Sequence, residues 1–157
     1  MNAVEDALAK AGLTLPPAAA PAANYVPYMR DGDMVYVSGQ LPLVDGALLA
    51  TGRVGESVDL PTAVKAAQAC GLNIIAQVKA ACDGDLSRVK QIIKLGAFVA
   101  SMPDFTGQPQ VVNGASDLMV LAFGEQGRHA RFAVGTNVLP LNACVEIDAV
   151  VALKPGA

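Results

Sequence analysis

The stretch RFAVGTNVLPLNACVEIDAVVAL, residues 131–153, holds two apolar runs joined by a Leu-Pro-Leu-Asn break. Charge enters at Arg131, which opens the first run, and at Glu146 and Asp148 in the second. Successive side chains of a strand point to opposite faces, so Glu146 and Asp148 share one face while Val145, Ile147, Ala149 and Val151 share the other. The acids are displayed together, away from a buried side. Such a face either meets water, with Arg131 as a rim ion pair, or is put to use.

Upstream, QPQVVNGASDLMVLAFG (108–124) spaces Val111, Val112, Ala115, Leu118, Met119 and Ala122 for one helical face, predicting a helix that runs to Gly124. Before it, QIIKLGAFVAS (91–101) is apolar and β-branched, a strand expected to put Ile93, Leu95, Ala97 and Val99 on one face and to end at Met102-Pro103. LSRV, after Gly84, reads as a short helical turn. Val64, Ala67, Gly71, Ile74, Val78 and Cys82 fall on one face of a helix over about 60–82, with Asp59 as N-cap and Pro61 just inside the start.

Asp31-Gly32 lies between β-rich runs at about 25–30 and 33–38, a hairpin signal, and Asp45-Gly46 turns a second short ribbon. Gly52 and Gly55 mark irregular chain. At the N-terminus, Val4, Leu8 and Gly12 keep helical spacing, with Glu5 and Asp6 in the first turn where the helix dipole favours acids. LTLPPAAAPAAN (13–24) is an extended Pro/Ala connector. The order β-β-ribbon-α-β-α-β-β suits an α+β layer, a mixed sheet with both main helices packed on one face.

At 157 residues the chain fits one compact domain, and with 53% hydrophobic and 16% charged residues it should fold, with oligomerisation as a way to bury surplus apolar surface. A formal net charge of −3, no run of Lys or Arg, and only 4% aromatic residues argue against nucleic acid as a partner. Cys70, Cys82 and Cys144 are odd in number and lack CxxC spacing, so they read as small buried hydrophobes rather than as disulfides or zinc ligands. The acidic N-terminus differs from a signal peptide, and the long uncharged stretch from Ala11 to Met29 is broken by prolines. A cytoplasmic protein with no membrane partner is expected.

His129 is the only histidine and no loop is rich in acids, which leaves no metal centre in view. No nucleophile-elbow sequence accompanies His129, which reads as a loop residue beside Arg128. Neither a GxGxxG nor a P-loop pattern occurs. The remaining candidates are polar residues at the ends of strands and in loops: Tyr28, Ser38, Asn113, Arg131 and Glu146.

PAANYVPY, VYVSGQLP, QPQVVNGASDL and ARFAVGTNVLPLNACVEIDAVVA resemble, in order, the signatures of the Rid family. These are the reactive-intermediate deaminases, also called YjgF-like and often labelled "endoribonuclease L-PSP". The likeness spans roughly Pro21 to Leu153, leaving residues 1–20 as an N-terminal helix and connector ahead of a domain at 21–157. It implies a chorismate-mutase-like α+β subunit, assembled as a homotrimer with ligand sites between subunits. It also implies hydrolysis of enamines and imines such as 2-aminoacrylate to a 2-keto acid and ammonia, with no metal or cofactor. By the same resemblance Arg131 clamps the substrate carboxylate and Glu146 positions or activates water. Tyr28, Ser38 and Asn113 then line the cleft, and backbone near Gly39 contacts the ligand.

The chain departs from the family pattern at Ala133, where many deaminating members carry cysteine, in the loop GEQGRHA (124–130), and in its N-terminal extension. It therefore resembles a divergent branch. A non-catalytic trimer that holds a small carboxylate or 2-keto acid through Arg131 is the competing expectation. A simple hairpin around Leu139–Asn142 would place Arg131 and Glu146 several residues out of register, able to share a cleft only around a small ligand.

Overall fold

The computed structural model describes residues 2–20 and 23–156, so the boundary drawn at Pro21 lies outside the described residues. Strands β1 (Tyr28–Asp31) and β2 (Met34–Gln40) form the first hairpin, and β3 (Leu43–Val44) with β4 (Ala47–Leu48) the separate ribbon. The long helices are α2 (Leu60–Ala81) and α3 (Gln108–Phe123), preceded by α1 (Ala3–Lys10). With β5 (Val89–Ala100), β6 (Ala130–Thr136) and β7 (Val145–Leu153), the main sheet has five strands in the order β1-β2-β7-β5-β6.

The expected α+β layer is present, with α2 and α3 against one face. Alternate residues of β5 and β7, among them Leu95, Ala97, Val99, Val145, Ile147 and Val151, are buried in one core with Ile74, Ile75, Leu118 and Met119 of the helices. The local signals act as read. The Asp59 carboxylate accepts from the Thr62 amide at 2.9 Å with Pro61 in the first turn, and α3 stops at Gly124, whose φ is 61°. The helices approach closely because of glycines: a Cβ at Gly114 would run into the Val64 carbonyl, and one at Gly71 would lie 2.8 Å from a Leu118 methyl.

The N-terminal helix packs onto the same core. Asn2 and Glu5 form a capping box, Val4 and Leu8 are buried, and Glu5 pairs with Lys79 of α2. The connector is tied down where the buried Gln77 amide donates to the Ala19 carbonyl at 2.7 Å. Cys70, Cys82 and Cys144 are buried and free, and burial raises the Cys70 thiol well above its ordinary pKa.

Two expectations change. The last two strands are not a hairpin: β6 pairs parallel with β5, Leu95 opposite Arg131, while β7 pairs antiparallel with the other edge of β5, Phe98 opposite Glu146. Helix α3 is the crossover that returns β6 parallel to β5, and the loop after β6 then carries the chain past β5 to β7. In that loop Leu141 and Asn142 take φ near 57° and 60°. The second change is at Ile93. The β5–β7 register shifts between Ile92 and Lys94, so Ile92 is buried and Ile93 is turned out, at 40% exposure.

Candidate functional site

The strand parity read for Glu146 and Asp148 holds, since Val145, Ile147, Ala149 and Val151 are buried and the acids lie on the face that the helices leave open. Glu146 is half-buried beside Gly39 of β2. A Cβ at Gly39 would sit 2.8 Å from the Glu146 Oε1, so only glycine lets the carboxylate lie against this backbone. Desolvation, and after it the charge of Asp148, raises the Glu146 pKa above the ordinary carboxylate value. A carboxylate so held is a stronger base than one in water.

Glu146 opens into a cavity of about 480 Å³, lined among others by Ala19, Tyr25, Pro27, Gln40 and Leu141. Among the described residues that line it, Glu146 alone is charged. Ser38, the neighbour of the lining Gly39, gives its hydroxyl proton to the Val26 carbonyl at 2.7 Å. Tyr28 lies elsewhere: it pairs with the buried Val37 and packs half-buried against the core, so the aromatic ring that lines the cavity is Tyr25, three residues earlier. A larger cleft of about 640 Å³ runs between the connector, the β3–β4 ribbon and α2, and among the described residues that line it Asp45 alone is titratable.

Arg131 lies on the other side of the sheet. It shares the face of its partner Leu95, which is buried beneath the helices, and it reaches α3. One Nη donates to Ser116 Oγ at 3.0 Å and the other to the Pro109 carbonyl at 3.2 Å. Asn113 is exposed on the same helical stripe, four residues after Pro109 and three before Ser116. His129 is a loop residue beside Arg128 as expected, and it is hydrogen-bonded there: its Nε2 lies 2.8 Å from Ser116 Oγ and its Nδ1 2.6 Å from the Gly127 carbonyl.

Sequence reading missed Ser116, His129 and Tyr25. For the first two a signal existed, because Ser116 continues the Pro109–Asn113 stripe and His129 has the strand parity of Arg131.

Within one chain the candidate residues thus form two groups. Arg131, bonded to Ser116, and Asn113 lie on the helix side at the sheet's β6 edge; Glu146 lies two strands away on the open face of β7, with Gly39 and Ser38 on β2 one strand further, and Tyr28 on β1 belongs to neither group. Among the described residues no carboxylate lies within ion-pair distance of Arg131, and no group of acids, His and Cys could hold a metal ion. No helix there is long and apolar enough to cross a membrane.

A mixed sheet with its long helices on one face defines a chorismate-mutase-like α+β fold, here with a cation at the sheet's edge and a desolvated carboxylate on its open face. The chain belongs to the YjgF-like (Rid) family: the family model described as "YjgF/chorismate mutase-like, putative endoribonuclease" matches residues 5–152. It is 51% identical over 148 residues to Protein TCP17 of Trypanosoma cruzi, covering 94% of this chain and 92% of that protein. The crystal structure of Atu1372 from Agrobacterium tumefaciens, a protein with unknown function, superposes with a TM-score of 0.92 at 52% identity, over 97% of this chain and 93% of that one. E. coli TdcF with bound serine matches at a TM-score of 0.64 and 20% identity, over 89% and 94% of the two chains, a likeness of fold alone.

Proposed function

We propose that the chain is one subunit of a homotrimer that hydrolyses small carboxylate-bearing enamines and imines to 2-keto acids and ammonia. The observation that carries this reading is the placement of Arg131 and Glu146 on opposite faces of the sheet, the arginine at an open edge with no carboxylate partner among the described residues. A second copy laid against the β6 edge would bring one subunit's cation to another's carboxylate. The open face is suited to cover, since Ile93, Phe98, Phe132 and Val134 are each at least 37% exposed.

The chemistry needs no nucleophile from the protein. 2-Aminoacrylate tautomerises to an imine, which takes up a proton from solvent to give an iminium whose carbon accepts water. Glu146 takes a proton from that water as its oxygen bonds to C2 and returns it to the amine nitrogen of the resulting carbinolamine; the C–N bond then breaks as the hydroxyl gives up its proton to Glu146 or solvent, releasing ammonia and the 2-keto acid. Arg131 holds the substrate carboxylate through the parallel N–H groups of its planar fork. Orientation of an already electrophilic carbon supplies much of the acceleration. TdcF, with its bound serine, is a fold relative that holds a small amino acid. A net charge of −3 argues against RNA as the substrate despite the family's label.

The test couples the purified protein to a Ser/Thr dehydratase and traps the imine with semicarbazide. Pyruvate should form faster than by spontaneous hydrolysis, and Arg131→Ala should abolish the difference. One observation favours a second reading, a trimer that binds 2-keto acids without turnover: Ala133, two residues after the clamp on the same face, brings no polar atom. Binding of 2-oxobutyrate with no acceleration would select that reading.

A further inference from the structure

We infer that Ser116 and His129 are positioning residues for Arg131, and that together they build an anion-binding site into the β6 edge of each subunit before a second copy covers it. The inference rests on the reading of Arg131 as a ligand clamp and extends it to residues outside that reading.

The direction of the hydrogen bonds follows from one atom. A carbonyl oxygen can only accept, so at 2.6 Å from the Gly127 carbonyl the His129 Nδ1 must carry the ring proton. In the neutral ring Nε2 is then an acceptor, and at 2.8 Å it takes the Ser116 hydroxyl proton. With that proton committed, the Ser116 oxygen turns lone pairs outward, and Arg131 Nη1 donates to it at 3.0 Å. The series runs from Arg131 to Ser116 to His129 to the backbone, each group donating to the next.

Both ends of the series are fixed. Gly127 is buried, and a Cβ there would run into the Met119 carbonyl, so the backbone at Gly127 is packed directly on α3. At the other end Arg131 Nη2 donates to the Pro109 carbonyl at 3.2 Å. The guanidinium is therefore gripped at both Nη atoms by one helical stripe, and its remaining N–H groups are left for an incoming anion. The polar support comes from His129 through α3, whereas Ala133, on the same strand face, offers none.

A clamp held in one plane before the ligand arrives avoids the cost of ordering a long side chain on binding, about 0.5–1.5 kcal/mol, or roughly 2- to 13-fold in affinity. The effect belongs to ground-state binding, so it falls on Kd and KM more than on kcat.

The experiment uses the full chain, in which His129 is the only histidine and its ring signals are unambiguous. Nitrogen-15 NMR of the ligand-free protein at alkaline pH should report a protonated Nδ1 and a bare Nε2. Ser116→Ala and His129→Ala should each weaken 2-oxobutyrate binding by roughly 3- to 10-fold and raise KM with little change in kcat, while Ser116→Thr restores both. An Nε2-protonated ring, or Ser116→Ala with the parent's affinity, overturns the inference. A Ser116→Thr variant as weak as Ser116→Ala also overturns it, because packing rather than the hydroxyl would then be at work. If the parent binds 2-oxobutyrate through Arg131 but hydrolyses no imine, the deaminase reading fails and this one stands. If the parent binds no 2-oxobutyrate, both fail.

Discussion

At the scale of single residues, Glu146 carries the clearest signature. Its carboxyl is desolvated and faces Asp148, so its folded-state pKa is raised. The folded protein therefore holds that proton to higher pH than the unfolded chain, and the ionised form costs stability once pH climbs through the folded pKa. Glu146→Gln should raise Tm at neutral pH, with the gain vanishing at a pH below both values, a contrast that thermal scans at two pH values would measure. The same change should cut imine hydrolysis by about 10²-fold or more, the contribution of a general base. In the parent, the acid limb of the pH–rate profile should lie above that of an ordinary glutamate, because only the ionised carboxylate can take a proton from water. Gly39→Ala gives a steric counterpart: its methyl would meet Glu146 Oε1 at 2.8 Å, so kcat should fall while the fold persists, as circular dichroism would report.

At the scale of elements, close approach of α2 and α3 depends on an absent side chain. Gly114→Ala would press a methyl on the Val64 carbonyl, and because backbone cannot rotate away the cost should reach about 1–3 kcal/mol or more, seen as a lower urea midpoint with an unchanged slope. The strand elements show where periodicity stops being informative. Leu95, Ala97 and Val99 are buried as alternation requires, but the irregular register at Ile92–Lys94 reverses the pattern for Ile93. An alternation rule has no term for one extra residue, which only the pairing with β7 reveals. Tyr28 makes a similar point, because pairing with Val37 turns it to the core while Tyr25 in the preceding irregular chain lines the cavity.

For the whole molecule, the open face of the sheet and its β6 edge are the surfaces on which the proposed trimer depends. Phe98 and Phe132 stack edge-to-face with ring centroids 5.4 Å apart on that open face, with Lys94 over the Phe132 ring. Phe132→Asp should therefore shift the sedimentation coefficient from that of the proposed trimer toward a monomer and remove imine hydrolysis together with assembly, though the Phe132 ring packs with Phe98 and Lys94 rather than with Arg131 or Glu146. A parent that sediments as a monomer would contradict the divided site.

The sequence by itself determined the α+β class, the two long helices, the Asp-Gly turns, the burial of the cysteines and the shared face of Glu146 and Asp148. Each rests on periodicity or on turn chemistry that acts within a few residues, and the ordered segments added the family. Tertiary structure alone decided that β5 separates β6 from β7, that Arg131 and Glu146 lie on opposite faces, and that Ser116 joins His129 to Arg131. Those relations depend on which strand edge each segment finds after a crossover, a choice made by packing among residues far apart in the chain rather than by any local pattern.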